Sequence, residues 1–144
     1  MTEIGHAPAA QDPRAPLQQL VARWNEAAQR WDASALAHCY TSDATLFGGR
    51  PGHSVGQDSV QAYFSSYAGV IRCCTIALLD QEVTQPGPEL VIAQGHVDLR
   101  FVLQDGRQTT SLLRSTLILR FEDAAWKIWR HHFSPVPDAP PLGD

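Results

Sequence analysis

The stretch Leu112–Pro135, LLRSTLILRFEDAAWKIWRHHFSP, restricts the possible folds more than any other part of the chain. β-Branched, leucine and aromatic residues crowd both of its arms, and Glu122-Asp123-Ala124-Ala125 between them reads as a tight turn, so the pattern predicts two long paired strands. In the first arm Arg114, Thr116 and Ile118 share one face, while Ser115, Leu117 and Leu119 share the other. In the second arm Trp126, Ile128, Arg130, His132 and Ser134 alternate with Lys127, Trp129, His131 and Phe133. Large apolar groups on both faces predict that both are covered, one by helices and one by a partner chain or loop. Arg114 and His132 then stand as polar groups in apolar surroundings, where a pocket is expected.

The rest of the chain supplies the covering helices. Asp12-Pro13 reads as a cap and a first-turn proline. Leu17, Leu20, Val21, Trp24, Ala28 and Trp31 recur at helical spacing, predicting a first helix to about Arg30. Asp32 caps a short second helix, Ala33 to Cys39, which packs through Leu36 and Tyr40. A short strand is expected at Ala44–Phe47, followed by a Gly-rich loop from Gly48 to Gly56. A third helix runs from Gln57 to about Ala68 and lines one side with Val60, Tyr63, Phe64 and Tyr67.

From Ile71 the pattern becomes strands: Ile71–Val83, Leu90–Leu103, Gln108–Phe121 and Trp126–Ser134. They are separated by Gln85-Pro86-Gly87-Pro88 and by the hairpin signal Asp105-Gly106. Helices followed by an antiparallel meander make an α+β domain with its helices against one face of a curved sheet. Residues 1–12 and 136–144 read as flexible tails around a domain at 13–135.

Composition excludes several function classes. The 11 Lys and Arg residues form no basic run and the net charge is −4, so nucleic acid is not an expected partner. No apolar run approaches the roughly 20 residues of a membrane span, and the N-terminus lacks a targeting pattern, so a soluble cytoplasmic protein is expected. Cys39, Cys73 and Cys74 are an odd, unspaced set that reads as unbridged thiols rather than a disulfide framework or zinc site. The Gly-rich loop lacks the Lys-Ser/Thr ending of a phosphate-binding loop. Neither a metal nor a cofactor is expected.

Three stretches together carry a family resemblance. They are Trp24–Ala44, WNEAAQRWDASALAHCYTSDA; Gly56-x-x-x-Val60-x-x-Tyr63-Phe64; and Arg114-x-Thr116 with Trp126-Lys127-Ile128 and His132-Phe133-Ser134. In order and spacing the chain resembles the nuclear transport factor 2-like superfamily, more narrowly its SnoaL-like members and the association domain of calcium/calmodulin-dependent protein kinase II. The resemblance implies a cone-shaped, cystatin-like sheet with three N-terminal helices on its concave face, a pocket beneath the helices, and a homodimer formed through the sheet.

Activity is not implied by such a fold, since it hosts several enzymes and pure assembly modules. Similarity to the ketosteroid isomerases places Trp24 and Gly48 where those enzymes have a Tyr and a carboxylate base, so isomerase chemistry of that type is not expected. Asp98 and Arg114 imitate part of the epoxide hydrolase arrangement, and His96, Asp98 and His132 part of the cyclase and dehydratase one. The reading that follows is a small-molecule-binding protein acting on a cyclic or polyketide-like compound, with acid–base chemistry of the cyclase, dehydratase or hydrolase type. His132 would be the acid or base, Arg114 a clamp on a carbonyl or carboxylate oxygen, and Asp98 the group that orients one of them. Trp24, Tyr63, His96 and Thr116 would contact the ligand. Each of these residues also has a plainer account: a structural histidine for His132, an ion pair with Asp98 or Glu122 for Arg114, and an exposed or interfacial polar sheet face for His96 and Asp98. A non-catalytic dimerisation or assembly module is the alternative function.

Overall fold

The computed structural model describes residues 12–143; apart from Asp12, the expected N-terminal tail lies outside the described residues. Three helices, α1 (Arg14–Ala28), α2 (Ala33–Ala37) and α3 (Gln57–Ser65), alternate with the first strands, β1 (Tyr40–Phe47) and β2 (Ser54–Val55). The long strands β3 (Ile71–Gly87), β4 (Leu90–Leu103), β5 (Gln108–Glu122) and β6 (Ala125–Pro135) follow without further helices. They form one curved, unclosed sheet of six strands in the order β2-β1-β6-β5-β4-β3. Every neighbouring pair is antiparallel except β1 and β6, which run parallel.

Local chemistry sets the helix starts. Asp12 Oδ1 accepts from the Arg14 N–H at 2.9 Å, and Asp32 Oδ1 caps α2 by accepting from the Ala35 N–H at 3.0 Å. The apolar stripe of α1, Leu17, Leu20, Trp24, Ala27 and Ala28, is buried against the sheet, as the periodicity predicts. Asn25 fixes the helix to the sheet at both ends of one amide: its Nδ2 donates to the Ile76 carbonyl at 3.0 Å, and its Oδ1 accepts from the Ile76 N–H at 2.8 Å. Trp31 Nε1 donates to the Phe64 carbonyl at 2.9 Å and so joins the end of α1 to α3.

Some elements depart from the sequence reading. β1 begins four residues early, at Tyr40, because Tyr40 pairs with Ile128 and the Cys39 carbonyl accepts from the Ile128 N–H at 2.8 Å. Ser54-Val55, inside the expected loop, pairs with Thr45 and Leu46. The predicted turn at Glu122–Ala125 is present, with left-handed backbone at Asp123 (φ 52°) and Ala124 (φ 60°).

Two register shifts decide which side chains face inward. Opposite the unbroken strand β5, strand β6 shifts register between Ile118 and Leu119: Leu119 faces Ile128 and Ile118 faces Arg130, which leaves Trp129 as the extra residue of a β-bulge. Trp126 and Ile128 therefore point inward before the bulge, and His131 and Phe133 after it. In β3 the central one of three shifts falls between Leu79 and Glu82, with Asp80 at φ 51°. Gly95 of β4 lies against this bulge; a Cβ there would meet the Leu79 carbonyl oxygen at 2.7 Å.

Candidate functional site

Between α1, α3 and the concave sheet face lies a cavity of about 290 Å³. The helices contribute Leu20, Trp24, Tyr63 and Phe64, the turn after α3 contributes Tyr67, and the sheet contributes alternate residues of β3 to β6. None of the lining residues carries a formal charge. Polar groups on the wall come from Tyr40, Tyr63, Tyr67 and His131, from Ser111 and Ser115, and from the Trp24 indole N–H.

One polar contact on the wall joins β1 to β6. The Tyr40 hydroxyl lies 2.9 Å from His131 Nδ1, and the two rings stack at a centroid distance of 5.9 Å. The Trp24 indole N–H lies beside the same hydroxyl without completing a hydrogen bond. Burial, reinforced by the neighbouring His132, pushes the His131 imidazole down to about 3. Burial also pushes the Tyr40 and Tyr63 phenols well up and the Cys74 thiol up to about 12. Each shift favours the neutral form, as a water-poor cavity without countercharges requires. Cys74 is held as a thiol and is therefore a poor nucleophile.

At one end of the cavity Tyr63 packs on the backbone of the Gly-rich loop. Its hydroxyl accepts from the Gly49 N–H at 2.9 Å, and a Cβ at Gly48 would lie 2.7 Å from the Tyr63 Cζ. Arg50 crosses the Tyr67 ring at 4.1 Å and donates to the Ser66 carbonyl at 3.1 Å.

The structure divides the residues named from the sequence. Trp24 and Tyr63 line the cavity. His132, Arg114, Asp98, His96 and Thr116 lie on the opposite, outer face of the sheet, where His96 is level with Arg114, and Thr116 with His132. Their placement in one pocket with Trp24 and Tyr63 is corrected by strand parity: β5 turns Ser111, Leu113, Ser115 and Leu117 inward, and the Trp129 bulge turns His132 out. Asp98 pairs with Arg100 at 3.0 Å and Glu122 with Arg120 at 3.0 Å, so neither holds Arg114. His132 packs against Phe47, whose other neighbour is the stacked His53 ring at 4.6 Å.

His131 and Tyr40 are cavity groups that strand alternation alone misses, while Ser115 lies on the face that alternation gives it with Leu117 and Leu119 but is not among the site residues named from the sequence. A signal for His131 was present, because the apolar parity of β6 passes from even at Trp126 and Ile128 to odd at Phe133. Cys39, Cys73 and Cys74 are unbridged, and among the described residues no cluster of His, Cys, Asp and Glu has metal-binding geometry. No helix among them is long and apolar enough to cross a membrane.

A curved six-stranded sheet roofed by helices is the fold that the chain shares with structures of the nuclear transport factor 2-like superfamily. Residues 17–139 match the SnoaL-like domain model, and the chain belongs to that family. Solved structures agree in fold. A Xanthomonas campestris protein named for the calcium/calmodulin-dependent protein kinase II association domain superposes with a TM-score of 0.80 at 19% identity, covering 96% of this chain and 97% of that one. A Novosphingobium aromaticivorans protein named for an aromatic ring hydroxylase gives 0.74 at 20% identity, covering 90% and 93%. A Salmonella enterica protein of the nuclear transport factor 2-like superfamily gives 0.72 at 16% identity, covering 92% and 97%. Among curated proteins no sequence match is found. At these identities the likeness shows the fold alone.

Proposed function

We propose that the protein binds a small, uncharged, mainly apolar organic molecule, cyclic or polyketide-like in character, in the cavity beneath α1 and α3. The observation that carries this reading is the wall itself: aromatic and aliphatic side chains, no formal charge, and a few fixed polar groups. A volume of about 290 Å³ lies near the lower end of ligand pockets, about 300–1,000 Å³. An anionic or cationic ligand would enter with no countercharge to offset its desolvation.

Acid–base turnover of the cyclase, dehydratase or hydrolase type, where this ligand undergoes it, falls to His131. Among the described residues, it is the one imidazole on the cavity wall, and Tyr40 holds the orientation of its ring. Because the imidazole is kept neutral, it accepts a proton readily only from a ligand whose developing negative charge balances the imidazolium. This favours binding as the primary function, with catalysis dependent on the ligand.

Native mass spectrometry of the purified protein, followed by denaturation and identification of any released small molecule, tests the proposal. A neutral cyclic compound in stoichiometric amount supports it. A charged compound would overturn the neutral-ligand reading, and an empty higher-order ring would favour an assembly module instead. The same spectrum reads the homodimer that forms part of this proposal.

A further inference from the structure

We infer that Ser115 and Trp24 form a hydrogen-bonding subsite for a carbonyl oxygen, so that the cavity takes a cyclic carbonyl compound in preference to the corresponding hydrocarbon. This rests on the binding reading above and names the ligand chemistry more closely. Ser115 is 6% exposed and Trp24 5% exposed, both line the cavity, and neither Ser115 Oγ nor Trp24 Nε1 has a hydrogen-bond partner among the described residues. The neighbours of Ser115 across the sheet offer none: Gly95 stands opposite on β4 and Phe133 on β6. Trp24 approaches from α1 beside the Tyr40 hydroxyl but outside hydrogen-bond geometry, so its N–H is open to a ligand acceptor.

Other unpaired indole nitrogens, those of Trp126 and Trp129, do not line this cavity, so an orphan donor alone is not the argument. The argument is that two orphan donors, one on the roof and one on the floor, face a single cavity without charges. Ala and Phe would fill these positions without leaving a buried N–H or O–H unpaired. A ligand oxygen supplies the missing acceptor. It is a carbonyl rather than a carboxylate because nothing on the wall balances a negative charge.

The test compares 1-tetralone with tetralin, which share a bicyclic skeleton and differ at one carbonyl, by isothermal titration against the full chain. The wild type is expected to bind tetralone about tenfold more tightly. That preference, read as the ratio of the two affinities so that a change in the apolar wall cancels, is expected to shrink in Ser115→Ala and Trp24→Phe and to vanish in the double variant. Ser115→Ala is also expected to melt no lower than the wild type, which separates a ligand role from a structural one. Equal binding of the two compounds by the wild type, or a full preference retained in Ser115→Ala and the double variant, would overturn the subsite and leave the binding reading intact. Binding of neither compound would remove both.

Discussion

Tyr40 and His131 meet across the parallel β1–β6 pair, hydroxyl to Nδ1 at 2.9 Å with the rings tilted by 27°. The pair is possible because two irregularities coincide: the register of β1 shifts between Tyr40 and Thr45, and β6 bulges at Trp129. Without the bulge the ring at this place would be that of another residue.

The burial of His131 makes stability sensitive to mild acid. Its pKa in the fold, about 3, lies below the ordinary 6.5. Above about pH 6.5 both folded and unfolded states are neutral at this ring, and it does not affect stability. Below that, the unfolded chain gains a proton that the native state refuses, so stability falls as the pH drops toward about 3. The slope approaches about 1.4 kcal/mol per pH unit. Asp43, held low by its bond to Arg120, sheds its contribution only below its ordinary value of 3.8. Urea denaturation at pH 7 and pH 5 should therefore show His131→Asn losing about 2 kcal/mol less than the wild type. Equal losses would mean that the imidazole titrates freely in the fold.

The α1 stripe, the Asp32 cap, the Glu122–Ala125 turn and the four long strands were legible because each is written in a local pattern. The identity of the site was not. Arg114 and His132 drew notice as polar residues on apolar strands, yet one extra residue at Trp129 sends His132 outward and His131 inward. Strand alternation carries no record of such a bulge unless the partner strand is read with it. Opposite the unbroken odd-numbered inward run of β5, from Ser111 to Leu119, the inward residues of β6 pass from even-numbered Trp126 and Ile128 to odd-numbered His131 and Phe133, and only a shift in β6 reconciles them. The parallel contact of β1 with β6 joins residues about ninety positions apart and has no local signature.

Gly48 is required by the packing of Tyr63. A Cβ there would approach the Tyr63 Cζ at 2.7 Å and Phe133 at 3.0 Å, two rings that line the cavity. Gly48→Ala is expected to lower stability by about 1–3 kcal/mol, the usual range for overpacking. In a Tyr63→Ala background the same change should cost less than half as much, since one of the opposing rings is gone. Additive losses in a double-mutant cycle of denaturation midpoints would show that the contact is not the cause.

The turn between β5 and β6 holds Ala124 at φ 60°, a region in which a Cβ crowds the following carbonyl. Ala124→Gly relieves about 1–2 kcal/mol of that crowding and gives back about 0.4–1 kcal/mol to the added freedom of the unfolded chain. The net result should be a gain of about 0.5–1 kcal/mol, visible as a higher thermal midpoint. A lower midpoint would show that the turn carries no such strain.

The outer and inner faces of the sheet make opposite predictions for ligand binding. His132 and Arg114 are exposed and belong to a groove separated from the cavity by the backbone of β5 and β6. Their substitution leaves the cavity wall intact, so His132→Asn and Arg114→Ala should each keep the affinity for a neutral bicyclic ketone within about twofold. His131→Asn and Tyr40→Phe change the wall itself: the first removes an aromatic face, and the second removes the hydroxyl that fixes the imidazole. Each should weaken binding by about fivefold to tenfold, the worth of one buried hydrogen bond or ring contact. Titration of all four variants with one ketone reads both faces together. A loss confined to His132→Asn and Arg114→Ala would place the functional site on the outer face, around the residues that the sequence singles out.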